Sequence, residues 1–151
     1  MSKILIKNRD AIEQMNFVPK TALISITDVN YGFAKLTSEP DYVLRLAFDD
    51  VDNDIFDDVA TDVDRSIVAE RYHMLSDEQA KQIAEFYAKI HNKTDIIICQ
   101  CEHGQSRSAA VAAAILEYRS RSGIRIFSND KYYPNKAVFN KVLQALKTIA
   151  R

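Results

Sequence analysis

Four short β-rich apolar runs constrain this chain most: Ile4–Ile6, Ala22–Ile26, Val43–Phe48 and Ile96–Cys101. Each is nearly continuous rather than alternating. A strand with one wet face alternates, whereas a strand covered on both faces does not, and such strands belong to parallel sheets. Helical signals lie between the runs. Arg9–Asn16 is a short helix candidate. Ser76-Asp-Glu-Gln79 reads as an N-cap with a capping box, and Ala80, Ile83, Ala84, Tyr87 and Ile90 follow at helical spacing. Ser108 to Arg121 is Ala-rich and helical. Pro134-Asn135 opens a last helix, with Val138, Phe139, Val142, Leu143, Leu146 and Ile149 on its buried side. Strands alternating with helices predict an α/β domain with a central, mainly parallel four-stranded sheet flanked by helices. No repeat or linker interrupts the pattern, so residues 1–151 read as a single domain.

Composition mainly excludes. Hydrophobic residues make up 47% and charged residues 27%, which is not the profile of a disordered tail. The longest apolar run, Ala109 to Leu116, is too short to cross a bilayer, so no membrane partner is expected. The first seven residues lack the apolar core of a signal peptide, and two cysteines cannot build a disulfide framework. A reducing cytoplasm is therefore the expected compartment. Net charge is −1, but residues 1–75 carry 8 basic and 14 acidic side chains, and residues 76–151 carry 12 basic and 7 acidic. A basic half can attract an anionic substrate. The pI of about 6.3 is too low to announce nucleic acid.

Two stretches resist the α/β pattern. Thr27 to Asp41 is a polar loop ending in Glu39-Pro40-Asp41. Asp49 to Asp64 holds eight aspartates and no basic residue, which reads first as a solvated loop. Asp50, Asp52 and Asp54 fit the first ligands of a calcium loop. Ile55 stands where glycine is needed and Thr61 where the bidentate glutamate belongs, so no metal is expected.

The chemistry concentrates in Ile96-Ile-Ile-Cys-Gln-Cys101-Glu-His-Gly104-Gln-Ser-Arg107-Ser108. A strand runs into a short loop that opens a helix. Loop amides and the first helical turn of such a turn converge on one point, and the helix dipole adds positive potential. That cradle favours an anion, and it favours the thiolate form of a cysteine placed there. Arg107 supplies a planar fork that matches two phosphate oxygens. Gly104 permits the backbone conformation that turns amides inward, and it is one of three glycines in the chain.

These residues resemble the phosphate-binding loop of the cysteine-dependent protein tyrosine phosphatases, Cys-x5-Arg followed by Ser or Thr. More narrowly, Cys-x-x-Gly-x-Ser-Arg-Ser is similar to the small dual-specificity group, and small bacterial and phage members begin much as this chain does. The resemblance implies a protein-tyrosine-phosphatase-like fold. It implies that the Cys101 thiolate attacks phosphorus and forms a phosphocysteine. Arg107 and the amides of Glu102, His103, Gly104, Gln105 and Ser106 would hold the equatorial oxygens. Ser108 matches the hydroxyl that bonds the sulfur and eases breakdown of the intermediate. No metal or organic cofactor is needed.

An aspartate from an earlier strand end would protonate the leaving group. Asp50 is the first choice by matching the end of Val43–Phe48, followed by Asp49, with Asp52 and Asp54 as further candidates. Pro134-Asn135-Lys-Ala-Val-Phe139 is similar to a family segment whose Asn braces the phosphate loop. The plainer reading of Asn135 is a helix cap. One departure is Gln100, which stands where the family usually has His; it keeps a hydrogen bond but not a charge. Cys99 reads as an inert buried thiol. The implied substrate is a phosphate monoester, most of all phosphotyrosine on a protein, with phosphoserine or phosphothreonine in addition. The loop holds no lysine, which ranks phosphoinositides lower. RNA 5′-phosphatase activity and a phosphopeptide-binding module without turnover remain alternatives.

Overall fold

The computed structural model of the chain describes residues 1–51 and 73–150. Its four strands are β1 (Lys3–Lys7), β2 (Thr21–Thr27), β3 (Tyr42–Ala47) and β4 (Ile96–Gln100). They form one sheet in the order β1-β4-β2-β3, and every pairing is parallel. The two central strands are the most apolar. All of β2 is buried, and β4 is buried from Ile97 onward. The edge strands β1 and β3 are mostly half-buried, which admits Lys3, Lys7 and Arg45.

Side-chain alternation sorts these strands into two cores. Ala22, Ile24, Ile26, Ile97 and Cys99 point to the larger one. There they meet α2 (Asp77–Ile90), α3 (Arg107–Ser120) and α5 (Lys136–Ile149). Leu23 and Ile98 point to the smaller core with Ile12 and Ala34. It is closed by α1 (Arg9–Glu13) and the loop 28–41. That loop was expected to be simply polar. It buries Ala34 and packs Leu36, so it serves as the second face's cover where a crossover helix would ordinarily lie.

Most of the helices follow from their sequences. Ser76 and Gln79 form the predicted reciprocal cap of α2, a motif that contributes about 1 kcal/mol. One face of α2 buries Ala80, Ile83, Ala84, Tyr87 and Ile90. In contrast, α3 is buried without interruption from Arg107 to Ile115. Its alanines let the sheet and α5 approach it closely, and a mostly apolar surface suits a helix covered all round. It ends at Arg121, whose φ of 53° gives a left-handed cap. The first helix is shorter than the predicted Arg9–Asn16, because Gln14 already caps it. A four-residue helix, α4 (Ile124–Phe127), has no counterpart in the sequence reading. No described helix is long and apolar enough to cross a membrane.

Parallel strands send all their carboxyl ends to one edge. Asn8 and Arg9, Asp28, Phe48 to Asp50, and Cys101 therefore emerge side by side from four distant parts of the chain. In open α/β sheets this edge is where ligands bind.

Candidate active site

At that edge β4 ends at Gln100, and α3 begins at Arg107. Residues 101–106 make the turn between them. Gly104 sits at its middle with φ +66°. A Cβ there would also lie 2.9 Å from the backbone N of Asn8 and the carbonyl carbon of Lys7. Both the backbone conformation and the close approach to the end of β1 require glycine. Among the described residues, the amides of Glu102, His103, Gly104, Gln105 and Ser106 donate to no carbonyl or side chain. The outer rim of the turn is pinned instead through its carbonyls. The Glu102 carbonyl accepts from Arg9 N at 3.1 Å, the Gln105 carbonyl from Tyr133 N at 2.8 Å, and the Ser106 carbonyl from Asn135 N at 3.3 Å. Carbonyls pinned outward leave the amides as donors for an anion.

Cys101 and Ser108 meet across the turn, with Sγ and Oγ 3.0 Å apart. Both side chains are buried, and Cys101 is 2% exposed. Arg107 is held by one nitrogen only. Its Nη1 donates to Asp28 Oδ1 and to the Phe48 carbonyl, each at 2.7 Å. Its Nε is buried without a partner, and Nη2 makes no bond among the described residues. The Nε–Nη2 edge of the guanidinium is thus a free two-donor fork, the shape that matches two phosphate oxygens. Arg107 lines a cleft of about 630 Å³ together with Asp28, Tyr31, Asp49, Asp50, Glu102 and His103.

The aspartates after β3 separate by their partners. Asp50 Oδ1 accepts from Ser106 Oγ at 2.8 Å and from Asn135 Nδ2 at 2.9 Å, so Asp50 joins the loop. The Asp49 carboxylate is taken up by backbone amides, Val29 N at 3.1 Å and His73 N at 3.0 Å. Asp49 therefore staples the strand end to its neighbours. Asp52 and Asp54, and with them the rest of the calcium-like run, lie outside the described residues. Among the described residues no cluster of three His, Cys, Asp or Glu side chains is placed to hold a metal.

Asn135 caps its helix, and its side-chain amide also reaches the residues after β3. Its Oδ1 accepts from Val138 N as the cap of α5, while Nδ2 donates to Asp50 and to the Val51 carbonyl at 3.1 Å. Gln100, fully buried, accepts from Ser25 Oγ and donates from Nε2 to the Cys101 carbonyl at 3.0 Å. It braces the base of the turn without charge. Cys99 is buried in the larger core, and burial, with Cys101 nearby, pushes its thiol up to about 12. Its sulfur is a neutral packing group. The Glu102 carboxylate pairs with Arg9 at 3.3 Å, and His103 and Gln105 are exposed.

Sequence reasoning missed Asp28. It was placed in an undifferentiated polar loop, yet it holds Arg107. The usable signal was its position, directly after the buried strand β2 at the carboxyl edge of a parallel sheet. The charge argument also needs correction. The carboxylates of the cleft come mainly from the acidic half of the chain, so the basic half does not set the potential at its mouth.

No family model and no curated protein matches the sequence. Solved structures do match. A mouse protein solved as a dual specificity phosphatase complexed with zinc tungstate is 16% identical with a TM-score of 0.55, covering 97% of this chain and 83% of that one. PTPMT1 in complex with PI(5)P is 16% identical with a TM-score of 0.49, covering 87% and 79%. Human DUSP28 is 13% identical with a TM-score of 0.46, covering 97% and 93%. The likeness to the mouse protein shows the fold. This chain has the protein-tyrosine-phosphatase-like α/β architecture, with the all-parallel sheet and flanking helices of the dual-specificity phosphatases.

Proposed function

We propose that the protein hydrolyses phosphate monoesters through a phosphocysteine intermediate, with phosphotyrosine on a protein as the main substrate. The observation that carries the reading is the free Nε–Nη2 fork of Arg107, one residue from the Ser108 hydroxyl that meets the Cys101 sulfur. In this reading the phosphoryl group binds in the turn of residues 101–107. Its equatorial oxygens take the loop amides and the Arg107 fork. The Cys101 thiolate attacks phosphorus as the P–O bond to tyrosine breaks, and Asp50 gives its proton to the departing phenolate oxygen. Water then attacks the phosphocysteine, with Asp50 taking the proton that water gives up. The Ser108 hydroxyl donates to the sulfur as it leaves. Inorganic phosphate and the free thiolate result. The step needs no group beyond water and these side chains.

The test compares wild type with Cys101→Ser on a phosphotyrosine peptide and an activated aryl phosphate. Turnover by wild type and its loss in Cys101→Ser, with phosphopeptide binding retained, is the expected result. Binding without turnover by wild type would instead identify a phosphate-binding module.

A further inference from the structure

The cleft in front of Arg107 carries the same sign of charge as the group it is read to bind. Among the described residues, four carboxylates line it, those of Asp28, Asp49, Asp50 and Glu102, against one guanidinium. Asp28 already faces that guanidinium at 2.7 Å. Asp49 is bonded by backbone amides alone, with no cation to offset it among the described residues. Glu102 has Arg9 at 3.3 Å, but Arg9 also faces Glu13 at 3.6 Å, so including that pair leaves the balance unchanged. The strongest anion-binding groups lie at the floor: the loop amides, the first turn of α3 and the buried Arg107 Nε, which has no partner. A phosphoryl group can reach those donors. Whatever carries it must rest among carboxylates.

Resting on the phosphatase reading, we propose that the site selects a phosphorylated protein segment with basic residues flanking the phosphate, and rejects polyanionic carriers. A second phosphate on an inositol ring or along an RNA backbone would lie against Asp49 and Glu102. There it would meet like charge. Arginine or lysine beside a phosphotyrosine would meet the same carboxylates as ion-pair partners. The aromatic side of the mouth is compatible with this. Tyr31 is 67% exposed, and Arg9 lies 5.5 Å from its ring centroid. It offers a wall without adding charge. Selection of this kind works as much by repelling the wrong carrier as by attracting the right one.

The experiment measures kcat/KM at low salt for three phosphotyrosine peptides with arginine, alanine or glutamate flanks. A 5′-phosphorylated tetraribonucleotide and a neutral aryl phosphate complete the set. The expected order is basic, neutral, acidic, with the oligonucleotide poorest. The basic-to-acidic ratio should be roughly tenfold, the size that two exposed pairs produce. It should shrink towards unity at about 1 M salt, where screening reaches about 3 Å. Glu102→Gln should reduce the ratio without changing its direction, and the salt series on wild type decides the matter if that variant folds poorly. Equal values for the three peptides, or a preference for the acidic peptide or the oligonucleotide, overturns the proposal. If even the aryl phosphate is not hydrolysed, the phosphatase reading is what has failed. Anisotropy titrations of the same peptides against Cys101→Ser then still decide the charge preference.

Discussion

Arg107 reaches from the start of α3 to the end of β2, where its Nη1 meets Asp28 Oδ1 at 2.7 Å. The bond fixes which edge of the guanidinium stays free. With Nη1 also on the Phe48 carbonyl, rotation of the fork would break two bonds at once. Asp28 is therefore a positioning residue. Asp28→Ala should raise the vanadate dissociation constant and lower kcat/KM by about tenfold to a hundredfold, the cost of a misplaced group. Asp28→Asn keeps an oxygen acceptor and should recover most of the loss. An Ala variant with wild-type vanadate affinity would reduce Asp28 to an ordinary half-exposed ion pair.

The fork itself is tested by Arg107→Lys. Lysine keeps the charge but offers a point rather than two coplanar donors. Turnover should fall by about 10² or more, as when a single transition-state donor is lost. Thermal unfolding should shift far less, because the lysine stem still fills the space between Phe48 and the turn. Turnover within a few-fold of wild type would show that the phosphate is held by the loop amides alone.

How much of this was legible in the sequence depends on distance along the chain. Cys101, Gly104, Arg107 and Ser108 fall within one strand–turn–helix unit, and local patterning sufficed to bring them together. The central strands β2 and β4 were legible because both of their faces are covered, which leaves continuous apolar runs. Asp28 was not legible. It lies 79 positions from Arg107, and only the strand order β1-β4-β2-β3 makes them neighbours. Likewise, nothing in the run Phe48-Asp49-Asp50 says which carboxylate faces the turn. The structure separates them through Val29 and His73 on one side and Ser106 and Asn135 on the other. The helix α4 is one turn long, too short to show a period.

The two cysteines should differ sharply. Iodoacetamide should label Cys101, and phosphate or vanadate should protect it. Cys99, with its thiol pushed up to about 12, should stay unlabelled until the protein unfolds. Equal slow labelling of both would remove the basis for a nucleophilic Cys101.

Cys99 also predicts how stability changes with alkali. Its folded value lies above the ordinary thiol value of 9.0, so the unfolded chain gives up this proton first. Stability from the buried neutral thiol is fully present below about pH 9 and is lost as pH rises towards about 12. Tyr87, also raised by burial, acts in the same direction from a higher starting value. The unfolding midpoint should therefore fall more steeply above pH 9 in wild type than in Cys99→Ala. Parallel pH profiles for the two proteins would mean that Cys99 is not the group responsible.

The general acid is tested through the leaving group. Asp50 takes both of its bonds, from Ser106 and Asn135, on Oδ1. Among the described residues Oδ2 has none, and it is the oxygen free to carry a proton. Asp50→Asn keeps an oxygen for Ser106 and Asn135 while removing the acid, so the turn should survive the substitution. Tyrosine leaves poorly without a proton, and a positioned acid contributes about 10² to 10⁴ in rate. Phosphotyrosine hydrolysis should slow by that order in Asp50→Asn. A highly acidified phenol leaves almost unaided, so an activated aryl phosphate should be spared. Asp49→Asn is the control. Its carboxylate accepts from Val29 and His73 backbone amides, so the change should slow both substrates by a similar factor. If Asp50→Asn slows the two substrates equally while Asp49→Asn discriminates between them, the acid is Asp49. The roles read for Cys101 and Arg107 would be untouched, because they rest on the turn between β4 and α3.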